Sequence, residues 1–374
     1  MKTALVYDRV NKWGGAERVL LALHELFPDA PLYTSVYDKK NAPWADGLNI
    51  KTSFLQNIPF AKSHHELIPF LMPMAFEQFN FDKYDLVISV TSEAAKGIIT
   101  KPHTRHICYC LTPTRYLWSG YDEYFRNPLI KHASSPIVSY LKSWDRVAAN
   151  RPDTYIAISS EVKKRIKKYY DLESEVIYPP VLLGENHSRE GGNPDPSIDP
   201  RVKPKDDKIE GLKYFLVVSR LVPYKRIELA INACNDLHLQ LKIIGTGKEE
   251  SNLEKISGPT IKFIGNVTDK ELSNYYKNCQ ALIFPGIEDL GLTIIEAQKY
   301  GKPVIAYKAG GALETIEEEK TGLFFDRPEK KSLINALQKF DKYLFLSQDC
   351  KDQAANFNSK NFKKKFLTLV EKGI

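Results

Sequence analysis

The 374-residue sequence has few cysteines, no apolar run of membrane length and no cluster of metal ligands. Its five cysteines are an odd number at irregular spacings, which excludes a disulfide framework and favours a reducing compartment. No window approaches the roughly 18 apolar residues that a membrane span needs, and the first apolar run is too short for a signal peptide. The sequence therefore predicts a cytoplasmic protein without membrane spans.

Several ligand-binding fingerprints are missing as well. Cys108 and Cys110 have no second cysteine pair, and His64-His65 has no supporting carboxylates, so neither pair predicts a metal site. The complete Gly-x-Gly-x-x-Gly dinucleotide fingerprint is absent, which argues against a dehydrogenase. No Asp-x-Asp follows a predicted strand. We expect no cofactor and no required metal.

The composition is that of an ordinary globular protein, with 43% hydrophobic and 26% charged residues. The formal net charge of +7 is modest and allows attraction to anionic lipid or to a phosphate-bearing acceptor. The length favours two domains. Short apolar strands alternate with helical patterns in both halves of the chain, which predicts an α/β fold with two doubly wound parallel sheets.

The segment 281–299 is the most informative stretch. An apolar strand ends at Phe284, a loop carries Glu288, and a helix begins near Leu292. Glu296 lies about one turn inside that helix. The free N–H groups and positive dipole end of a helix start suit a phosphate, and two carboxylates suit sugar or ribose hydroxyls. This stretch predicts a nucleotide-sugar site, although a solvated loop acid and a helix-surface acid are the alternative.

Two other junctions between a strand and a helix have the same layout. Gly14 and Gly15 follow the first strand and allow close approach to a phosphate, unless they only form a tight turn. Arg220 and Lys225 follow the strand 214–218 and place two cations on one loop. Such a pair can neutralise a leaving diphosphate, whereas the alternative is a plain basic turn.

Together these blocks resemble the retaining glycosyltransferases of family 4. Glu288 and Glu296 match that family's pair of glutamates separated by seven residues. Residues 219–226 match the Ser-Arg-Leu-Val-Pro-Tyr-Lys-Arg block of its mannosyltransferase-like members. Residues 110–118 match Cys-His-Thr-Pro-x-Arg-Tyr-x-Trp, except that Leu111 replaces the histidine. The resemblance implies the GT-B fold, in which two Rossmann-like domains face a cleft.

The resemblance covers nearly the whole chain apart from residues 184–211, which we interpret as a surface loop. It implies an acceptor-side domain over residues 1–180 and a nucleotide-sugar-binding domain over residues 181–355. Residues 356–374 would form a final helix that packs back on the N-terminal domain.

The resemblance also implies a role for each matching residue. The catalytic residues would be Glu288, Arg220 and Lys225. The donor-binding residues would be Gly14, Gly15, Gly245, Gly247, Val267, Gly291, Leu292, Thr293 and Glu296. The residues on the acceptor or sugar side would be Thr112, Arg115 and Tyr116.

Leu111 is the main departure from the family pattern, because the histidine that it replaces touches the transferred sugar in the family. Either His106, Tyr109 or Tyr116 takes over that contact, or the site is altered. The resemblance therefore implies a retaining hexosyltransferase that moves mannose from GDP-mannose to a glycan or lipid-linked saccharide acceptor. The alternatives are a UDP-sugar donor, a nucleotide-sugar-binding protein with weak transfer, and a GT-B phosphorylase or epimerase.

The apolar segment 64–76 leaves one localisation question open. It is either core and loop cover or an exposed lip that contacts lipid or a lipid-linked acceptor. We therefore keep open a peripheral contact with the inner face of the cell membrane, and we expect no nucleic-acid partner.

Overall fold

A computed structural model of the chain describes residues 1–64, 67–125, 127–181 and 213–372. The backbone contacts divide the chain into two compact units. Unit 1 comprises residues 1–180 and 362–374, and unit 2 comprises residues 181–361. The predicted surface loop at 184–211 lies outside the described residues.

The described part of unit 1 contains one parallel sheet of seven strands in the order β3-β2-β1-β4-β5-β6-β7. Its central strands are almost entirely buried, as expected for a parallel sheet that helices cover on both faces. The strand bounds are β1 Thr3–Tyr7, β2 Leu32–Thr34, β3 Ile50–Thr52, β4 Leu86–Thr91, β5 Arg105–Cys110, β6 Thr154–Ala157 and β7 Glu175–Val176.

Five helices lie between the strands of unit 1 in its described residues, and short 3-10 turns connect several of the strands. The helices are α1 Gly15–Leu26, α2 Met72–Glu77, α3 Tyr121–Tyr124, α4 Pro128–Ala149 and α5 Ser160–Tyr170. Helix α4 has 22 residues. Asn127 caps its start by accepting a hydrogen bond from the Leu129 N–H at 2.9 Å, and Pro128 fits the first turn, where no N–H partner is needed.

The described part of unit 2 contains a second parallel sheet, of six strands, in the order β10-β9-β8-β11-β12-β13. Its strands are β8 Phe215–Val218, β9 Leu241–Ile244, β10 Ile261–Gly265, β11 Leu282–Phe284, β12 Val304–Tyr307 and β13 Gly322–Phe325. Its helices are α6 Ile227–Asp236, α7 Glu250–Lys255, α8 Asp269–Asn278, α9 Leu292–Lys299, α10 Ala312–Thr315, α11 Lys330–Phe340 and α12 Ser347–Ala355. The prediction of two parallel α/β sheets is confirmed.

The last helix, α13 (Ser359–Glu371), packs in unit 1. Its Phe362 and Phe366 are buried in the same apolar cluster as α1 and the central strands. The Phe362 ring lies 5.9 Å from the Tyr109 ring, centroid to centroid, in an edge-on contact. Arg105 donates a hydrogen bond to the Val370 carbonyl at 2.7 Å, which satisfies a carbonyl of the last helical turn.

The apolar segment 64–76 contains both predicted environments in its described residues. Met72 and Phe76 are buried in the core beside the sheet, whereas Leu67, Phe70 and Met74 are exposed. Among the described helices none combines the length and the apolar character needed to cross a bilayer. The described side chains also contain no group of three His, Cys, Asp or Glu residues arranged to hold a metal ion.

Candidate functional site

The strand order of unit 2 reverses between its two central strands, β8 and β11. The chain runs outward from β8 to β10 on one side and then from β11 to β13 on the other. Loops at such a reversal diverge at the carboxyl ends of the strands and leave a crevice where open α/β sheets bind ligands. The predicted catalytic residues Arg220, Lys225 and Glu288 all lie on the loops that follow β8 and β11.

Lys225 and Glu288 form an ion pair at this reversal, although 63 positions separate them in the sequence. Lys225 is the last residue of a 3-10 turn, Pro223–Lys225. Its ammonium group donates a hydrogen bond to Glu288 Oε1. The Lys225 side chain is 11% exposed and that of Glu288 is 27% exposed. A Cβ on Gly286 would lie 2.9 Å from the Lys225 Cα, so only glycine lets the two loops approach this closely.

Arg220 lies on the same loop as Lys225 but is more exposed. Its guanidinium donates to the Tyr224 hydroxyl at 2.7 Å. The loop after β9 packs against this segment, because the Leu221 N–H donates to the Thr246 carbonyl at 2.9 Å. A Cβ on Gly245 would lie 2.0 Å from the Ser219 carbonyl oxygen. The predicted donor-binding glycine Gly245 therefore contacts the backbone of the cationic loop.

The helix that carries the second glutamate begins at Leu292, as predicted. Gly291 caps its start with a φ of +81°, in the region that favours glycine. The Thr293 hydroxyl is buried in the first turn and has no hydrogen-bond partner among the described residues. Together with the N–H groups of Leu292 and Thr293, it forms a donor-rich end that suits an anion.

Glu296 lies deeper than the sequence pattern predicts and is only 4% exposed. Its Oε2 accepts a hydrogen bond from the Tyr276 hydroxyl at 2.9 Å, and the Tyr276 ring stacks on Tyr300 with centroids 5.7 Å apart. The sequence gives no signal for Tyr276, because it lies on α8, twenty positions away. Val267, the remaining predicted donor contact in this unit, packs against the same apolar cluster as Tyr276.

In unit 1 the predicted Gly14–Gly15 turn is next to a buried hydrogen-bonded pair, Tyr7 and Glu17. Gly14 precedes helix α1, and a Cβ on it would lie 3.1 Å from Glu17 Oε2. Glu17 accepts a hydrogen bond from the Tyr7 hydroxyl at 2.6 Å. Burial raises the pKa of the Glu17 carboxyl, while the Tyr7 hydrogen bond opposes that shift.

The loop 111–118 of unit 1 carries the predicted acceptor-side residues and is anchored by the buried carboxylate of Asp145. This carboxylate accepts hydrogen bonds from the Lys96 ammonium at 2.6 Å and the Thr114 hydroxyl at 3.0 Å. It also accepts from the indole of Trp118 at 2.7 Å. The loop is therefore held from beneath at two of its own residues, Thr114 and Trp118. The sequence pattern does not identify Asp145 or Lys96.

The three predicted acceptor-side residues have different surroundings. The Thr112 hydroxyl is 3.4 Å from an Arg165 guanidinium nitrogen on α5. The Tyr116 hydroxyl donates to Glu93 at 2.9 Å, and Glu93 also pairs with Arg9, which follows β1. Arg115 accepts a hydrogen bond at its carbonyl from the Gly120 N–H at 2.8 Å, so its backbone is fixed in a turn.

Two of the three residues considered for the missing sugar contact, His106 and Tyr109, have side chains that are not accessible to a ligand. Both side chains are fully buried in the sheet of unit 1. His106 Nε2 is 2.8 Å from the Ser89 hydroxyl, and burial lowers the pKa of His106 to about 3. The Tyr109 hydroxyl donates to the Ile177 carbonyl at 2.8 Å. Tyr116 is therefore the remaining candidate of the three. Leu111 itself packs against the core.

Residues 199–357 match the family model described as Glycosyl transferases group 1. The α-1,3/1,6-mannosyltransferase ALG2 of Dictyostelium discoideum is 24% identical over 293 residues, which cover 70% of this chain and 68% of that protein. A GDP-mannose-dependent α-mannosyltransferase of Mycolicibacterium smegmatis is 37% identical over 111 residues, 29% of either chain. An uncharacterized glycosyltransferase of Methanocaldococcus jannaschii is 26% identical over 156 residues, 40% of this chain and 43% of that one. The chain thus spans less than half the length of two of these three relatives.

Solved structures resemble the chain over its full length. The crystal structure of Anabaena HepE in complex with UDP has a TM-score of 0.69 and 19% identity, and all of both chains is covered. Sucrose-phosphate synthase from Thermosynechococcus elongatus has a TM-score of 0.71 and 15% identity, with coverage of 100% of this chain and 99% of that one. At such identities the similarity concerns the fold alone, and the predicted GT-B fold is confirmed.

Proposed function

We propose, on the premise that residues 199–357 belong to the group 1 glycosyl transferases, that the chain transfers a hexose from a nucleotide-sugar to a glycan or lipid-linked saccharide. The observation that supports this most directly is the ion pair of Lys225 and Glu288 at the strand reversal of unit 2. An ammonium and a carboxylate side by side supply the two charges that departure of a sugar from a pyrophosphate requires.

The proposed donor is GDP-mannose. Two relatives support this choice: the Dictyostelium protein is named as a mannosyltransferase, and the Mycolicibacterium protein as GDP-mannose-dependent. A UDP-sugar is the alternative donor, and the experiment below distinguishes it from GDP-mannose. Neither donor requires a metal in this proposal, because the cations of unit 2 take the charge of the diphosphate.

In the proposed reaction, Lys225 and Arg220 stabilise the negative charge that develops on the leaving diphosphate. The N–H groups of the first α9 turn and the Thr293 hydroxyl bind the same phosphates, and Gly14 and Gly15 stay predicted donor contacts. Glu288 orients the sugar hydroxyls and stabilises an oxocarbenium-like transition state. The sugar–phosphate bond breaks as the sugar–acceptor bond forms, and the departing phosphate oxygen takes the acceptor proton, which gives retention of configuration.

Glu296 is the proposed ribose contact. One of its oxygens accepts from Tyr276, and this hydrogen bond fixes the orientation of the carboxylate inside α9. A fixed carboxylate can accept from a ribose hydroxyl without first losing side-chain freedom, which reduces the entropic cost of binding.

A second candidate function is nucleotide-sugar binding with weak transfer. The observation that favours it is Leu111, which packs against the core of unit 1 where the related enzymes carry a sugar-contacting histidine. This candidate keeps the donor site of unit 2 and differs only in turnover.

The proposed location is the cytoplasm, with a peripheral contact at the inner face of the membrane if the acceptor is lipid-linked. The exposed side chains of Leu67, Phe70 and Met74 support such a contact, because apolar groups of this size in one segment favour a lipid interface.

The test is donor binding and transfer by the Lys225→Ala variant. Thermal unfolding with GDP-mannose, GDP, UDP-glucose and ADP-glucose identifies the base, because a ligand that binds the folded state raises Tm. Lys225→Ala is expected to lower kcat/KM about 100-fold or more with the preferred donor, and its Tm without ligand should change little.

Lys330→Ala is the matched control, since Lys330 forms an exposed ion pair with Asp236 in the same unit. It should keep full transfer activity. Wild-type activity in the Lys225→Ala variant would contradict the phosphate role. Donor binding by the wild type without any transfer to glycan or lipid acceptors would favour the second candidate.

A further inference from the structure

The strand order of unit 1 also reverses, between β1 and β4. The chain runs outward from β1 to β3 on one side and then from β4 to β7 on the other. As in unit 2, the loops at the carboxyl ends of these two strands diverge and leave a crevice of the kind in which open α/β sheets bind ligands. Asp8 and Arg9 directly follow β1, and Ser92 and Glu93 directly follow β4.

Arg9 and Glu93 form an ion pair across this reversal, although 84 positions separate them in the sequence. Glu93 Oε2 accepts from the Arg9 guanidinium, and Glu93 Oε1 accepts from the Tyr116 hydroxyl at 2.9 Å. The Arg9 side chain is 19% exposed and that of Glu93 is 10% exposed. Like Lys225 and Glu288 in unit 2, they are a partly exposed cation and carboxylate at the reversal of their own sheet.

The backbone around Glu93 is fixed without help from its carboxylate. The buried Asp8 carboxylate accepts hydrogen bonds from three backbone N–H groups of the turn 92–95, at 2.7 to 2.9 Å. The Glu93 N–H donates to the Thr91 hydroxyl at 3.0 Å. Because these contacts hold the turn, the Glu93 side chain is presented at the crevice by a rigid support.

The ion pair has hydrogen-bonding capacity left for a ligand. A carboxylate offers about four lone-pair sites, and a guanidinium carries several N–H donors. In the described structure the Glu93 carboxylate accepts from Arg9 and Tyr116, and the Arg9 guanidinium donates to Glu93. The pair therefore presents acceptors and donors next to each other. Two adjacent hydroxyls of a sugar need this combination, because each hydroxyl donates a proton and accepts at its oxygen.

The Tyr116 side chain links the pair to an exposed aromatic ring. The rings of Tyr116 and Tyr124 lie 6.3 Å apart, centroid to centroid, in an edge-on contact. Tyr124 is 62% exposed. A sugar ring has an apolar C–H face as well as hydroxyls, and an exposed tyrosine ring offers that face an apolar surface to pack on. An ion pair beside such a ring suits a carbohydrate.

The charge of the pair indicates which carbohydrate fits. Unit 1 contains 27 of the 53 Lys and Arg residues against 20 of the 46 Asp and Glu residues, while unit 2 contains 26 of each, so the formal charge of +7 belongs to unit 1. The Arg9–Glu93 pair itself is neutral, and an anionic group beside Glu93 would be repelled. An uncharged sugar leaves the pair intact. The pair therefore favours hydroxyls over a phosphate or a uronate.

We propose that Arg9 and Glu93, with Tyr116 and Tyr124, form a binding site for two adjacent hydroxyls of an uncharged sugar ring. This rests on the proposed function for the role of the ligand, which is the part of the acceptor that unit 1 recognises. The family resemblance assigns Tyr116 to the acceptor side and assigns no role to Arg9, Glu93 or Tyr124. The site makes Glu93 a specificity-determining residue for the acceptor sugar.

The test is saturation-transfer difference NMR of the full chain with methyl glycosides, with and without saturating GDP. Methyl α-mannoside and methyl α-glucoside are the uncharged probes, and methyl α-glucuronide carries a carboxylate on the same ring as the glucoside. The wild type should bind an uncharged glycoside more tightly than the glucuronide. Glu93→Gln should weaken that binding about tenfold or more, because hydrogen bonds to a charged acceptor are the stronger ones. Its affinity for GDP in isothermal titration should equal that of the wild type.

Glu77→Gln is the matched control for the carboxylate. Glu77 pairs with Arg151 at 2.7 Å and accepts from the Trp144 indole at 2.7 Å, so it has the same kinds of partner. It lies on α2 and not on a loop after β1 or β4, and its variant should bind the glycoside like the wild type. Tyr124→Ser removes the exposed ring and should also weaken binding. Tyr140→Ser, at a 50% exposed position on α4, is its control.

The outcomes separate this site from the proposed transferase. Equal glycoside binding by the Glu93→Gln variant, tighter binding of the glucuronide, or no glycoside binding by the wild type would overturn the site. If the Glu93→Gln variant unfolds, Tyr124→Ser gives the same test, and unchanged binding there overturns the site. GDP binding without glycoside binding would refute the site and leave the transferase standing. Glycoside binding that depends on Glu93, without any response to nucleotide-sugars, would do the reverse.

Discussion

The pairs Lys96–Asp145 and Lys225–Glu288 show how burial separates a structural ion pair from one that can bind a ligand. Lys96 and Asp145 are 2% and 1% exposed, and the Asp145 carboxylate has further donors in Thr114 and Trp118. Burial would lower the pKa of Lys96, but the Asp145 charge outweighs it and the pKa is raised. Breaking such a pair leaves an uncompensated buried charge, so this pair is structural.

The Lys225–Glu288 pair is the more exposed of the two and lies at a loop edge. A phosphate that arrives beside Lys225 offers the ammonium another anionic partner, so the pair can be exchanged at a lower desolvation cost than a fully buried one. This difference is the physical reason why we propose a role in the reaction for Lys225 and not for Lys96.

His106 gives a prediction on pH, because its folded pKa is about 3 and an unfolded histidine has a pKa of about 6.5. Between these values the unfolded chain binds a proton that the folded chain does not. The free energy of unfolding of unit 1 should therefore fall as the pH falls below about 6.5. His106→Gln should reduce the loss between pH 7 and pH 5 by about 2 kcal/mol.

Urea denaturation followed by tryptophan fluorescence measures this effect, because all four tryptophans lie in unit 1. His103→Gln, at an exposed position of the same unit, is the control and should keep the acid sensitivity of the wild type. If the His106→Gln variant lost as much stability between pH 7 and pH 5 as the wild type, other groups would be the cause of the acid sensitivity.

At the scale of elements, the proposed donor site of unit 2 depends on loops that approach each other at glycines. The φ of Gly245 is +118°, and a Cβ there would meet the Ser219 carbonyl oxygen at 2.0 Å. Gly245→Ala should therefore lower the free energy of unfolding by about 2 kcal/mol or more and weaken donor binding about tenfold, because the loop after β9 must move away from the Arg220 loop.

Gly265→Ala separates backbone strain from this steric clash. Its φ is +76°, but in the described structure no atom lies within 4 Å of the added Cβ. We expect a cost of about 1 kcal/mol in the free energy of unfolding and unchanged donor affinity. Isothermal titration with GDP and urea denaturation measure both quantities. Equal donor affinities in the two variants would mean that the contact between the loops does not matter for binding.

At the scale of the whole molecule, the two units differ in charge although both contain a parallel sheet. Unit 2 is formally neutral and carries the proposed donor site, whereas unit 1 holds the whole net charge of +7. The proposed donor site therefore depends on a few fixed cations of a formally neutral unit, and not on a net positive charge of that unit.

Hydrogen exchange of the whole chain tests where the donor binds. GDP at about 100 times its Kd should slow exchange by up to about 100-fold in segments that the bound state holds closed. We expect protection at residues 219–226, 245–247 and 286–296, and none in helix α11 of the same unit. Protection spread evenly over unit 2, or confined to unit 1, would contradict the proposed site.

The sequence by itself determined the α/β class, the two parallel sheets and the position of each motif at the end of a strand. These features follow from the periodicity of apolar residues, which can be read within a segment of about 10 to 20 residues without knowledge of the rest of the chain. It also indicated Glu288 and Lys225 separately, through their residue types and their neighbours.

Only the tertiary structure decided which distant residues meet. The pairing of Lys225 with Glu288, the burial of Glu296 beside Tyr276 and the withdrawal of His106 into the core all depend on contacts between segments far apart in the chain. The exposure of Leu129 and Val147 on α4 belongs to the same group, since an apolar residue looks the same in a sequence whether the fold buries it or leaves it exposed. Local patterns fix the elements, but burial and charge pairing are properties of the packed chain.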